Sequence, residues 1–516
     1  MRMETEFGTD PRAPTTLPQL IHAAAAAYGD EIAVAYRGDP THEESLSFKD
    51  LERQSAELAR GLVAHGAGKG TRIGFIYGNS PSFVLLLAAI ARIGAIAIPI
   101  STLIRSNELV RVLRQSDVSG LIVQRSLLGN DYVERICEAL PELREGNGPD
   151  LRIAQTPFLR WIASSGPGLP PTFRDVEFLK QRAPSVSADL LRALEAQIHP
   201  TDQVVEIYTS GSMALPKGVK HNHGPLLFRT HYLRSMLNPR RGKEIVVQLP
   251  LFWVGGLMMY IFPNWEAGAT SLCTDKTLSN SRVAMGSVLA AEDLKLLAQA
   301  KPYWSLGMSE TLGPYAYSDT MRAPGYPLCA PLDHIADRYE VRVVDEDGQP
   351  VRDGQTGEIQ VRGYALTPGL HKIERDDCFT PDGYYHTGDM GVVEGRRINF
   401  VGRNGDVIKT AGANVSPAEV EMEMQSLEGV HSAYVVGIPD RERGQLVVAA
   451  VIPCEGVTLD FDRIQEQLKA RLSSYKVPRA YLAIARERVP LLHSNKVARR
   501  QLAVMLAEHF GRLNPP

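Results

Sequence analysis

The stretch Tyr208–Gly224, YTSGSMALPKGVKHNHG, carries the strongest local signal in this chain. Thr209, Ser210 and Ser212 surround Gly211, and Pro216, Lys217 and Gly218 follow. Short hydroxyl side chains and successive main-chain N–H groups can wrap a polyphosphate, and glycine lets the backbone come close. Lys217 adds a point charge. The G-x-x-x-x-G-K-[ST] loop is excluded, because Pro216 precedes the lysine and Gly218 follows it. Taken alone, the stretch reads either as an anion loop or as a polar surface turn.

Outward from this loop, helix-like and strand-like segments alternate. SFKDLERQSAELARGLVAHGA has apolar residues at helical spacing, with Ser47 as its cap. TRIGFIYG and GAIAIPI read as strands flanking a helix over 82–92; SNELVRVLRQSD then reads as helix and GLIVQ as strand. Such alternation predicts α/β layers on mainly parallel sheets. GNGPDLRIAQTPFLRWIASSGPGLPPTF is rich in Pro and Gly and reads as a surface connection. YEVRVVDEDGQPVRDGQTGEIQVRG has the period-two pattern and Asp–Gly turns of β-hairpins. After Gly402 the texture becomes that of a compact α+β segment of about 110 residues, enough for a small separate domain.

The bulk properties narrow the class. The chain has 516 residues, more than one core can hold, with 44% hydrophobic and 22% charged residues. A net charge of −3 gives no sign of nucleic acid as a partner. The five cysteines form no CxxC pair and read as reduced thiols. The first residues lack an apolar signal core, so no export is expected and the cytoplasm is the expected location. FVLLLAAIARIGAIAIPI is interrupted by Arg92 and Gly94, which fits a buried helix and strand rather than an integral membrane segment.

The anion loop does not stand alone. With LPLFWVGGL, LGMSETLGP, GEIQVRG, GYYHTGDMG, NFVGRNGDVIKTAGANVSPAEVE, GIPDRERGQ, YKVPR and HSNKVARR in that order, the chain resembles the adenylate-forming (AMP-binding) superfamily, and within it the acyl-CoA synthetases. The resemblance implies an α/β fold. A large N-terminal domain of layered sheets with a β-barrel-like part would span 1–402, and a small α+β lid would span 403–516. It implies activation of a hydrophobic carboxylic acid by ATP and Mg²⁺ to acyl-AMP, then transfer to CoA, or alternatively to an acyl carrier protein. By the same resemblance, Thr209, Ser210, Gly211, Ser212 and Lys217 hold the β- and γ-phosphates. Glu310 ligates Mg²⁺ and Ser309 contacts the α-phosphate. Gly286, Ser287, Leu306 and Gly307 lie near adenine and the acyl group. Asp389 and Arg403 take the ribose, Lys496 reaches the carboxylate, and Gly412 faces pantetheine. Gly405 would be the hinge of the lid.

Some positions depart from the family pattern. Met213 and Ala214 replace a hydroxyl residue and a glycine in the loop, and Leu306 stands where a stacking Tyr is usual. Trp253 replaces the usual gate residue, Asn495 replaces the glycine before Lys496, and Gln445 replaces a common Glu. The stretch from Trp253 to Gly307 is several tens of residues shorter than the family pattern. That shortening predicts an acyl pocket open on one side, with a nucleotide-binding protein of weakened or lost catalysis as the other reading.

Overall fold

The computed structural model describes residues 13–39, 42–127, 129–209, 216–274, 304–318, 332–345, 347–403, 408–411, 413–415, 417–490, 497 and 499–513. Two compact units emerge. One comprises Met1–Thr102, Leu113–Tyr208 and Gly218–Val401; the other comprises Leu103–Val112, Thr209–Lys217 and Gly402–Pro516.

The first unit is organised on a seven-stranded sheet. Its strands in chain order are β1 (Arg72–Ile76), β2 (Ile96–Pro99), β3 (Gly120–Val123), β4 (Trp161–Ser164), β5 (Phe173–Asp175), β6 (Gln203–Thr209) and β7 (Lys217–Asn222). They lie in the order β7-β6-β2-β1-β3-β4-β5, and the pairs from β6 to β5 are parallel. β2 and β3 are buried along their whole length, as parallel strands covered on both faces must be. The helix Pro81–Arg92 supplies such cover: Pro81 starts it and Ser80 caps it by accepting from the Phe83 N–H. Nearly all of this helix is buried, including Arg92. The Arg92 guanidinium is tolerated because it donates to Glu195, to Glu52 and to the Ser55 hydroxyl.

The stretch expected to be a surface connection is a correction. It contributes β4 and part of β5, and Leu151, Ile153, Leu159, Ile162 and Ala163 are buried. Four residues are too few to show a period, and the flanking Pro and Gly residues mask them.

The chain leaves β1 toward β2 but later leaves β3 toward β4, on the opposite side, so strand order reverses between β1 and β3. In open α/β sheets a crevice opens at the carboxyl ends of the strands at such a point. Here Tyr77, Asn79, Gln124, Ser126 and Ser165 line a cavity of about 650 Å³.

A second sheet has the order Glu244–Val246, Thr270–Cys273, Ile32–Asp39, His42–Ser47. The part expected to be barrel-like consists of two antiparallel sheets. One is formed by Trp304–Met308, Gly313–Ser318 and His334–Ile335; the other by Tyr339–Val344, Thr356–Gly363, Tyr385–Glu394 and Arg397–Arg403.

In the second unit, Val430–Asp440 and Gly444–Pro453 form a long antiparallel pair, extended by Ile408–Thr410, Ala413–Val415 and Ala480–Ala483. One face of this sheet is covered by Pro417–Gln425 and Phe461–Arg471, through Val420, Met424, Ile464 and Leu468. The other face is covered by Leu502 and Leu506 of the helix Arg499–Leu513. Lys476 is buried in this unit and donates to Glu108 Oε1 at 2.6 Å and to Glu419 Oε1 at 2.9 Å. Among the described residues no helix is long and apolar enough to cross a membrane.

Candidate active site

The anion loop is carried between β6 and β7: Thr209 ends one strand and Lys217 begins the next. Ser210, Gly211 and Ser212, with Met213 and Ala214, lie outside the described residues. A buried carboxylate anchors the strand that leads into the loop. Glu206, fully buried in β6, pairs with Arg72 of β1, accepts from the Tyr208 hydroxyl at 2.7 Å and from Gln203 Nε2 at 2.9 Å. Burial, with the Glu206 charge beside it, pushes the Tyr208 phenol well above its ordinary value, so it stays protonated and donating. A Cβ on Gly218 would come within 2.5 Å of Glu206 Oε1 and 2.8 Å of the Tyr208 ring. Only glycine fits directly after Lys217 for this reason.

The block LGMSETLGP forms a tight antiparallel turn. Trp304–Met308 pairs with Gly313–Ser318, and the register slips between Leu306 and Gly307. A Cβ on Gly307 would lie 2.5 Å from the Gly313 carbonyl oxygen, so the strands close only with glycine there. Ser309, Glu310 and Thr311 form a single 3₁₀ turn, and Leu312 follows with φ +49°. A leucine in the left-handed region costs about 1–2 kcal/mol and persists only when its surroundings impose it. Here they do. The Thr311 hydroxyl accepts from Met308 N–H at 3.1 Å and donates to the Gly313 carbonyl at 2.7 Å. Thr367 N–H donates to the Glu310 carbonyl at 2.7 Å, and Tyr339 donates to the Thr311 carbonyl at 2.6 Å. Arg229 donates to the Pro314 carbonyl at 2.5 Å, with its guanidinium over the Tyr232 and Tyr339 rings. His221 hydrogen-bonds the Ser309 backbone, and burial lowers its pKa to about 3, so it is neutral at any working pH.

Glu310 is itself buried, and its Oε1 accepts from the Tyr385 hydroxyl at 3.1 Å. Tyr385 begins the strand Tyr385–Glu394, which also carries the buried Asp389. Asp389 pairs in register with Ile359, and its N–H donates to the Thr387 hydroxyl at 3.0 Å. Leu306, Gly307, Ser309 and Glu310 thus share one strand and turn, and the Tyr385 hydroxyl links Glu310 to the strand that carries Asp389 four residues further on. Leu306 is buried in its strand. Arg403 ends the strand Arg397–Arg403. Gly286, Ser287, Gly405, Gly412 and Lys496 lie outside the described residues, as does most of the shortened stretch after Cys273. Sequence reasoning missed His221, Arg229, Tyr339 and Tyr385. The last of these sits in the quoted block GYYHTGDMG, but its 75-residue reach to Glu310 leaves no local signal.

The donor set bears on the metal. Among the described residues no group of three or more His, Cys, Asp or Glu could cage an ion. One buried carboxylate suits Mg²⁺, which keeps most of its waters and binds through phosphates and one or two carboxylates.

The LPLFWVGGL segment is wound unusually. After Trp253 the chain makes a short helix, Val254–Gly256, then a π-helix, Leu257–Ile261, then the helix Phe262–Ala267. Wide turns of this kind leave a carbonyl poorly served. The Tyr260 carbonyl is satisfied by the Ser271 hydroxyl at 2.6 Å, which in turn accepts from Asn264 Nδ2 at 3.1 Å. A Cβ on Gly256 would lie 2.1 Å from the Pro250 carbonyl oxygen. Gly256→Ala should therefore displace the 250–256 turn and destabilise the first unit by about 1–3 kcal/mol, the range for overpacking. Thermal unfolding checks this; an unchanged midpoint would show that the backbone there yields freely.

A model described as AMP-binding enzyme matches residues 21–297, and one described as AMP-binding enzyme C-terminal domain matches residues 419–496. The first match alone covers more than half of the sequence, and the chain belongs to the AMP-binding enzyme family. It is thereby an AMP-forming ligase of the acid–thiol class, whose members use ATP, Mg²⁺ and CoA. The indoleacetate–CoA ligase of Aromatoleum aromaticum is 27% identical over 480 residues, covering 85% of this chain and 89% of that protein. The feruloyl-CoA synthase of an Amycolatopsis species is 26% identical over 505 residues, covering 89% and 93%. Among solved structures, the o-succinylbenzoate CoA synthetase of Bacillus subtilis superposes with a TM-score of 0.70 at 20% identity, covering 94% of this chain and 97% of that one. An amide bond synthetase from Marinactinospora thermotolerans gives 0.71 at 19%, covering 95% and 99%. At these identities the structural likeness speaks for the fold, and it agrees with the α/β architecture expected from the sequence.

Proposed function

We propose that this chain activates a hydrophobic carboxylic acid with ATP and passes the acyl group to CoA. A carboxylate oxygen attacks the α-phosphorus and pyrophosphate leaves; the thiol sulfur then attacks the acyl carbonyl and AMP leaves. The observation that carries the reading is the link from Tyr385 to Glu310, because it ties the metal-binding candidate to the strand of the ribose-binding candidate Asp389. Relatives named for indoleacetate and ferulate support an acid with an aromatic, largely apolar body.

In this proposal Thr209, Ser210, Gly211, Ser212 and Lys217 fix the β- and γ-phosphates, and Ser309 contacts the α-phosphate. Asp389 and Arg403 hold the ribose. Glu310 would hold Mg²⁺, which when bound neutralises charge on the phosphates. Gly286, Ser287, Leu306 and Gly307 border adenine and the acyl group, and Leu306 offers it an apolar surface in place of a ring. Lys496 donates to the carboxylate and α-phosphate oxygens during the first step, and Gly412 borders pantetheine in the second. Residues 403–516 act as the lid that changes position between them.

ATP–pyrophosphate exchange with a panel of aromatic and aliphatic acids, followed by product analysis with and without CoA, tests the reading. Exchange that depends on one acid class, and a thioester that appears only with CoA, is the expected result. Exchange without thioester would transfer the second step to another acceptor, such as a carrier protein. No exchange with any acid would overturn the proposal.

A further inference from the structure

Asn79 follows β1, in the turn that leads to the helix Pro81–Arg92. It borders the crevice where strand order reverses, yet its amide is not left for an occupant of that crevice. Both ends of it are used on one loop 170 residues away. Asn79 Nδ2 donates to the Leu249 carbonyl at 3.0 Å, and the Leu251 N–H donates to Asn79 Oδ1 at 2.8 Å. The two groups flank Pro250, which has no N–H of its own. The side-chain amide therefore stands in for a neighbouring strand across a proline.

The turn that Asn79 grips leads directly to Trp253. Trp253 N–H donates to the Pro250 carbonyl at 3.1 Å, and the N–H groups of Gly256 and Leu257 donate to the Trp253 carbonyl at 3.0 and 3.3 Å. A continuous run of hydrogen bonds thus passes from Asn79 through the Pro250 turn into the first helical turn. The near side of the grip is fixed as well. Gly78 N–H donates to Gln124 Oε1 at 2.9 Å, and the Ser80 hydroxyl donates to the Gly78 carbonyl at 3.1 Å. The residue type is dictated by the task. Aspartate keeps the acceptor for Leu251 but cannot donate to Leu249, and leucine has neither group.

We propose that Asn79 is a positioning residue that sets acid selectivity, by holding the Leu249–Leu251 loop and through it the Trp253 ring. This rests on the proposed activation of a carboxylic acid and on the gate position that the family resemblance gives Trp253. Asn79 touches no reacting atom in this account; it acts through the loop.

The experiment compares wild type, Asn79→Ala and Asn79→Asp. In Asn79→Ala the KM for the preferred acid should rise about tenfold, the size of losing one to two buried hydrogen bonds. The preference over neighbouring acids should narrow, while the KM for ATP is unchanged. Asn79→Asp, which keeps one of the two bonds, should lie between the two. Equal rises in the KM for acid and ATP, or a lower unfolding temperature with acid kinetics unchanged, would overturn the proposal. Hydrogen–deuterium exchange reads the grip independently of any activity. Amides of residues 251–257 should exchange about tenfold faster in Asn79→Ala, with the rest of the first unit unchanged. Unchanged exchange there would overturn the grip itself. A wild-type enzyme that activates no acid would sink the functional reading, and the exchange arm would still decide the role of Asn79.

Discussion

Lys476→Met should cost the second unit about 3–5 kcal/mol of stability, the usual result of removing one member of a buried ion pair. The lysine is 8% exposed and its ammonium bridges Glu108 and Glu419, while the Ser473 hydroxyl donates to Glu108 Oε2 at 2.8 Å. Burial opposes the lysine charge, but Tyr475 and the two carboxylates outweigh it and hold the pKa above its ordinary value. Burial raises Glu419; Lys476 opposes that rise and Glu108 adds to it. A carboxyl group with a raised folded pKa binds its proton more tightly in the native state, so stability falls as pH rises from the ordinary glutamate value through the raised one. Without the ammonium that window extends upward. The deficit of Lys476→Met should therefore be largest near neutral pH and shrink toward about pH 5, above the ordinary value of about 4.3. Urea denaturation at the two ends of that range reads it. Adding Glu108→Gln and Glu419→Gln should recover most of the loss, because the orphaned charges are then gone. A deficit under about 1 kcal/mol at neutral pH would mean that water reaches these carboxylates.

Lys496→Ala should slow acyl-AMP formation by about 10²–10³-fold, the effect of removing one donor aimed at developing charge. Transfer from preformed acyl-AMP to CoA should hardly change, since the proposal assigns Lys496 to the first step alone. Single-turnover pyrophosphate release and thioester formation measure the two steps separately. Equal losses in both would place Lys496 among general structural charges.

Much of the layering was legible before any coordinates. Ser47 caps its helix by accepting from Asp50 N–H as its position suggested, and the 82–92 helix and the strands on either side of it are where the alternation put them. Those elements are long or apolar enough to carry a period. β4 was not, and it was misread because turn residues surround it. The order of blocks revealed the family, since order is a property of the sequence itself. The supports of the site were not legible. Arg229 holds Pro314 from 85 residues away, and Tyr385 meets Glu310 from 75. Neither contact follows from propensity or spacing, because each depends on how sheets stack after the chain has folded. The two histidines of KHNHG illustrate the same limit: nothing local marks His221 and His223 as buried, yet burial lowers the pKa of each to about 3 and keeps both neutral.

The π-wound residues Leu257–Ile261 give this helical segment a spare residue. Each bond there reaches one position further than in an α-helix, so the stretch holds one more residue than its span requires. Shortening the chain by one residue within it would let the helix close regularly and leave the buried Phe262 and Trp265 of the following helix in place. The same deletion inside Pro81–Arg92 would swing every later side chain by about 100°. A one-residue deletion should thus be absorbed in the π-wound segment after Trp253 and be disruptive within the helix Pro81–Arg92.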